Sequence, residues 1–127
     1  MAVGISSYLG NAWLNALGNN TSFAVAQVYI KLHIGEPGAA GTANPATETT
    51  RKAASFGAAS AGALASDADV SWTNIVGSDD ANHFTAWDAL TNGNFLFSGT
   101  ITANPYDAGD TYTISSGNLT ASLTIAS

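Results

Sequence analysis

Few side chains in this sequence could perform acid–base or nucleophilic chemistry. It has two histidines, His33 and His83, no cysteine and nine acidic residues. His83 follows Asp79 and Asp80, so a Ser–His–Asp site is the hydrolytic arrangement to consider. The Gly-x-Ser-x-Gly turn that exposes a nucleophilic serine is missing from the sequence. We therefore interpret His83 as a residue at the start of a strand, and we predict that the protein is not an enzyme.

The acidic residues include three close pairs, each beside turn-forming residues: Asp67 with Asp69, Asp79 with Asp80, and Asp107 with Asp110. Loop carboxylates can hold calcium, which binds oxygen ligands, but none of the pairs matches the EF-hand pattern. Aspartate is also common in turns, because its side chain bonds to nearby backbone groups. We predict turn-forming aspartates, with no metal or cofactor, and calcium in these loops stays an alternative.

Three aromatic residues are candidates for stacking on a sugar ring. Tyr29 and Trp87 alternate with the apolar residues of predicted strands and so fall on the polar face, and Tyr106 lies in a predicted loop. An aromatic ring combines a large apolar face with a polar edge, which suits contact with a host-surface glycan. Packing in the core or between subunits is the competing interpretation for all three residues.

Composition narrows the range of partners. The chain has 127 residues, with three basic and nine acidic residues and a formal net charge of -6. Three basic residues are too few to neutralise a nucleic-acid backbone or to bind an anionic membrane surface. We therefore expect no nucleic-acid partner. No apolar run is long enough for a transmembrane helix, and no basic region precedes the first apolar stretch. We therefore expect neither membrane insertion nor a secretory signal.

Residues 1–20 predict an N-terminal helix. Apolar residues recur there at helical spacing: Ile5, Tyr8, Leu9, Ala12, Trp13, Ala16 and Leu17. Ser6 or Ser7 can cap its start, and Gly18 followed by two asparagines can end it. One short helix cannot bury its own apolar stripe, so it must pack on the rest of the domain or on another subunit.

Alternation with a period of two predicts strands in the remaining chain. The first covers 28–34, with Val28, Ile30, Leu32 and Ile34 on one face. Further short strands are predicted within 52–56, 62–65, 70–75, 84–88, 95–102, 111–114 and 119–125. Seven or eight short strands separated by turns indicate an antiparallel β-sandwich or jelly roll with one N-terminal helix. We predict one domain over 1–127, with the helix in 1–20 and the sandwich in 21–127.

The segment 36–51 reads as a long surface loop, because 38–50 contains no large apolar residue. Loops of this length often make contacts with partners. Glu48 and Arg51 are spaced for a surface ion pair. We expect the helix and this loop to form an interface, with these candidate residues: Tyr8, Leu9, Trp13, Leu17, Glu36, Pro37, Glu48, Arg51 and Lys52.

The segment KLHIGEPGAAGTAN at 31–44, followed by ETTR at 48–51, resembles small tail-fibre-like or minor structural proteins of tailed phages that infect actinobacteria. The later AWDA at 86–89 and the Gly-Asp turn at 109–110 are similar to the same pattern. The resemblance implies a non-enzymatic building block of a virion. It implies no catalytic residues.

We therefore predict a virion structural protein that is tail-associated and assembles in symmetric copies. Its partners would be other copies of itself and other virion proteins. One alternative is a capsid decoration protein that contacts the major capsid protein. The other is a carbohydrate-binding module for host recognition.

Overall fold

The computed structural model describes residues 3–126. The fold is mainly β, with antiparallel sheets and one helix, as predicted. Its elements are α1 (Ser7–Gly18), β1 (Val28–His33), β2 (Lys52–Ala54), β3 (Ala63–Ala65), β4 (Val70–Trp72), β5 (His83–Trp87), β6 (Phe95–Thr100), β7 (Tyr112–Ile114) and β8 (Thr120–Ser122). Residues 1 and 2 of the predicted helical segment lie outside the described residues, as does residue 127.

The largest sheet has four antiparallel strands in the order β2-β1-β5-β6. Leu32 of β1 lies opposite Phe84 of β5, and Phe84 lies opposite Gly99 of β6. A Cβ atom at Gly99 would lie 2.7 Å from Cε1 of Phe84. Glycine at this position therefore leaves the space that the fully buried Phe84 ring occupies.

Two antiparallel ribbons, β3–β8 and β4–β7, complete the fold. β4 lies against β2, and β8 lies against β6. Sheet, ribbons and helix all contribute to one apolar cluster, in which Trp72, Phe84 and Leu119 are almost fully buried. The arrangement is sandwich-like and is not a closed barrel.

The helix begins later than the sequence pattern suggests. Ile5, which fits the helical stripe, forms an isolated β-bridge with Phe97. Next to it, Ser6 N–H donates to the Leu96 carbonyl at 2.8 Å, and Ser98 N–H donates to the Gly4 carbonyl at 2.9 Å. The edge of β6 offers free backbone groups, so the chain pairs with it before turning into α1.

The predicted alternation of buried and exposed residues along the strands is wrong at several positions. Ile34 was predicted on the apolar face of the first strand, and Leu123 and Ile125 lie in the last predicted strand. All three are exposed, because β1 ends at His33 and β8 ends at Ser122. Every residue of β5 from Phe84 to Trp87 is buried. β5 is a central strand that is covered on both faces, so alternation of apolar and polar residues does not describe it.

The segment 36–51 is not a simple surface loop. It folds back beside the end of β1, where Ile34 N–H donates to the Asn44 carbonyl at 2.9 Å and Ala46 N–H donates to the Leu32 carbonyl at 3.1 Å. Ala46, Glu48 and Pro37 are buried. The backbone pairing explains this burial, because it brings a stretch of small residues against the sheet.

Within residues 3–126, no helix has both the length and the hydropathy that crossing a membrane requires.

Candidate functional site

The apolar stripe of α1 starts in the core and ends in solvent. Ser6 caps the helix: its Oγ accepts from Leu9 N–H at 3.1 Å and donates to the Phe95 carbonyl at 2.6 Å, which ties the helix start to β6. Along the stripe, the exposed fraction of the side chain rises from 5% at Leu9 to 38% at Trp13 and 85% at Leu17. The last turn of α1 therefore presents apolar side chains that the described chain does not cover.

An apolar groove of about 280 Å³ lies between α1 and the β3–β8 ribbon. Ile5, Leu9 and Trp13 line one side, and Leu64 and Leu123 line the other. Ser122 is the one lining residue with a hydroxyl group. We call this feature the α1 groove.

None of the residues that line the α1 groove is charged. No charged residue occurs in 1–30, 53–66 or 111–127, which supply almost all of its lining. Most exposed large apolar side chains also belong to these segments: Tyr8, Trp13, Leu14, Leu17, Leu123 and Ile125. The sequence signal for this surface is the combination of charge-free segments and exposed apolar residues. The helical stripe predicted one wall of the groove, whereas Leu64 and Leu123 of the opposite wall were not predicted.

The residues predicted for the interface separate into two groups. Tyr8, Trp13 and Leu17 are exposed on α1, whereas Leu9 is buried at its base. In the 36–51 segment, Pro37 and Glu48 are buried, which corrects the expectation that they make outward contacts. The remaining three predicted residues are half-buried and do not line the groove: Glu36, Arg51 and Lys52.

Glu48 acts as an internal acceptor. Its carboxylate accepts from Val76 N–H at 3.0 Å and from Thr50 N–H at 3.1 Å. Burial alone would raise the pKa of Glu48, but these hydrogen bonds and the nearby Lys52 charge lower it below the usual value. The predicted surface ion pair with Arg51 is therefore wrong, because a buried carboxylate takes the backbone donors nearest to it.

Arg51 stabilises the turn after β5. Its guanidinium donates to the carbonyls of Ala89 at 2.8 Å and Asn92 at 2.7 Å. Its Cζ lies 4.2 Å from the centre of the Trp87 ring, a cation–π contact. Arg51 thus covers the face of Trp87 that was predicted to be open.

A buried hydrogen-bond chain connects the 36–51 segment to the centre of the sheet. His33 Nδ1 lies 2.8 Å from the Ala43 carbonyl, which can only accept, so Nδ1 carries the proton. In the neutral ring, Nε2 then accepts from the Thr85 hydroxyl at 3.0 Å, and that hydroxyl accepts from Trp87 Nε1 at 2.7 Å. Burial lowers the pKa of His33, and the neighbouring charge of Lys31 acts in the same direction, while the bond to Ala43 opposes it.

Two of the three proposed sugar-stacking residues are packing residues. Trp87 and Tyr106 are buried, and only Tyr29 is half-exposed. Tyr106 packs on Tyr112 with ring centres 5.0 Å apart, and burial, together with the nearby Asp79 charge, raises its pKa to about 12. The structure therefore agrees with the packing interpretation for both residues: Tyr106 belongs to the apolar core, and Trp87 is buried under Arg51.

The predicted role of aspartates in turns is confirmed for Asp110, which bonds within its own turn, whereas Asp69 and Asp79 bond to segments far away in sequence. Asp69, Asp79 and Asp110 accept from the backbone N–H groups of Ser116, Thr47 and Asp107 at 2.8, 2.8 and 3.0 Å, respectively. His83 Nδ1 lies 2.7 Å from Asn82 Oδ1. In the part of the chain that the structure describes, no three His, Cys, Asp or Glu residues are grouped as a metal site.

These features describe a β-rich module whose loops form internal hydrogen bonds and whose α1 groove is lined almost entirely by apolar residues. The chain belongs to the family described as podophage GP4 fiber I protein gp80, whose model matches residues 4–122. It is thus a phage fibre protein and a structural component of the virion. The predicted resemblance to phage fibre-like proteins is confirmed at this level. No curated protein matches the chain.

Proposed function

We propose that this protein is a non-enzymatic building block of a tail-associated fibre and is present in symmetric copies. Membership of a fibre family supports the structural role. The α1 groove carries the proposal of assembly, since it combines a concave apolar wall with uncovered apolar residues such as Leu17. Contiguous apolar surface of this kind marks contact sites in soluble proteins.

Hydrogen bonds between distant segments make the rest of the molecule suitable as a rigid building block. Carboxylates of Asp69, Asp79 and Glu48 hold backbone groups far away in sequence, and the chain through His33 and Thr85 joins a loop to the central strands. Such bonds oppose local opening of the loops. A protein with loops held in this way is well suited to serve as a rigid building block of an appendage.

Labelling of intact particles tests the location. Antibody against the purified chain, carried on gold, is applied to density-purified phage and imaged by electron microscopy. Gold at the tail or its attachment supports the proposal. Gold spread over the head would instead favour a capsid decoration protein. Absence of gold from the particles would contradict a place on the particle surface. Reactivity of the antibody with dissociated particles is the control that the protein is present and recognised.

Host-glycan binding receives less support from this geometry. Of the three aromatic candidates, Tyr29 alone keeps partial exposure. Phage that carry Tyr29→Ala and adsorb to host cells like the parent would remove this alternative.

A further inference from the structure

We propose that the α1 groove binds the α1 helix of a second copy of this chain, in a two-fold pair that places Leu17 of each copy in the groove of the other. The proposal deepens the proposed function, because it names the partner of the surface on which assembly rests. It depends on three observations: the distribution of charge, the shape of the surface and the spacing along α1.

The distribution of charge favours contact between two copies at this uncharged surface over contact at acidic surfaces. Each copy carries a formal net charge of -6, so two copies repel each other when their acidic regions approach. The groove and the whole of α1 lie in segments without any charged residue. Because none of the residues that line the groove is charged, contact there requires no desolvation of a lining charge.

The surface also contains both parts of an apolar contact. The groove supplies a concavity of about 280 Å³, and Leu17, which is 85% exposed, supplies a projecting side chain on the same stripe. A patch that holds both a cavity and a matching projection can bind its own copy through a two-fold axis, because residue i then contacts residue j in both directions.

The spacing of the stripe determines where the axis lies. Leu9, Trp13 and Leu17 follow one another at intervals of four residues, which is about 6 Å along a helix. An axis beside Trp13 relates two antiparallel helices and brings Leu17 of one copy opposite Leu9 of the other. Because Leu9 lines the groove, this arrangement inserts Leu17 into it.

The first test is the association of the purified full chain, measured by sedimentation velocity from about 1 to 200 µM. We expect a monomer–dimer equilibrium that Leu17→Lys weakens by about tenfold or more, because the apolar contact of a leucine is replaced by a charge. Leu90→Lys is the matched control, since Leu90 is also exposed and lies outside the groove, and it should leave the dimer unchanged. Lysine near a helix C-terminus is compatible with folding, and circular dichroism verifies this.

Cross-linking tests the position of the axis. The chain has no cysteine, so a single introduced thiol reports on one contact. Trp13→Cys should form a disulfide-linked dimer on mild oxidation, whereas Leu90→Cys should not. Raising NaCl from about 50 to 500 mM should not weaken the dimer, because the interface contains no ion pairs.

Several outcomes would overturn the proposal. These are a wild-type chain that stays monomeric over the whole range, a dimer that survives Leu17→Lys, or equal cross-linking at positions 13 and 90. A monomeric chain that is nevertheless found on particles would refute a second copy as the occupant of the groove. In that case the inference fails and the proposed function stands, whereas absence from particles would refute the proposed function.

Discussion

Replacement of Thr85 by valine removes the central link of the buried hydrogen-bond chain and keeps the shape of the side chain. The hydroxyl of Thr85 donates to His33 Nε2 and accepts from Trp87 Nε1, and both residues are buried. Thr85→Val therefore leaves one buried acceptor and one buried donor without a partner. Each such group costs about 1 to 3 kcal/mol, so the expected loss in the free energy of unfolding is about 2 to 6 kcal/mol.

Urea denaturation followed by tryptophan fluorescence measures this loss directly. For a chain of 127 residues, 1 kcal/mol corresponds to about 4 °C in Tm, so we expect a decrease of about 8 to 24 °C. Thr120→Val is the matched control on the exposed side of β8, and it should change the unfolding free energy by no more than about 0.5 kcal/mol.

A second variant separates the hydroxyl from the methyl group. Thr85→Ser keeps both hydrogen bonds and loses one buried methyl, so it should cost only about 1 kcal/mol. If Thr85→Val destabilised the protein no more than Thr120→Val or Thr85→Ser, the buried chain would not contribute to stability as we infer.

The other predictions concern pH and packing. The pKa of His33 is below its usual 6.5 in the folded state, so its contribution is complete above pH 6.5 and is lost as the pH falls from there. The unfolding free energy should decrease by up to about 1.4 kcal/mol per pH unit below 6.5, and His33→Asn should flatten this dependence in urea titrations. Gly99→Ala should cost about 1 to 3 kcal/mol, because the new Cβ meets the Phe84 ring, as a thermal melt would show. Glu48→Gln should cost about 1 to 3 kcal/mol in urea, because glutamine presents a donor to one of the two N–H groups that Glu48 accepts from.

Each of these predictions has a result that contradicts it. The pH dependence is wrong if stability is constant between pH 6.5 and 5, where the lowered pKa of Glu48 keeps that carboxylate charged. For Gly99, the control is Gly18→Ala at the exposed end of α1, which has open space and should be neutral or slightly stabilising. Equal Tm values for the two alanine variants would refute the packing argument, and an unchanged Glu48→Gln would show that the buried carboxylate is dispensable.

Local patterns predicted most of the secondary structure. The stripe through Leu9 and Trp13 and the capping serine indicated α1, and alternation indicated the strands. These signals are local, since side-chain spacing and capping depend on neighbours within a few residues. What they could not predict is which strand is central, because that depends on pairing between segments far apart in sequence. For this reason alternation assigned Trp87 to the polar face of its strand, although it is buried.

The candidate site was predicted only in part. The helical stripe identified Trp13 and Leu17, but the opposite wall, with Leu64 and Leu123, comes from segments more than 45 residues away in sequence. The role of Glu48 was misjudged for a related reason: its acceptor role depends on Val76, which the fold alone brings near. The absence of charged residues from three separate segments was the one sequence signal that could have indicated that both walls belong to the same surface.

The most direct test of a role as a repeated fibre component is the copy number of this chain in density-purified particles, measured by mass spectrometry against labelled peptide standards. We expect a fixed number of copies per particle that is a multiple of the symmetry of the structure the fibre joins, and that stays constant through repeated purification. A chain that is abundant in the lysate of infected cells and absent from purified particles would contradict this role.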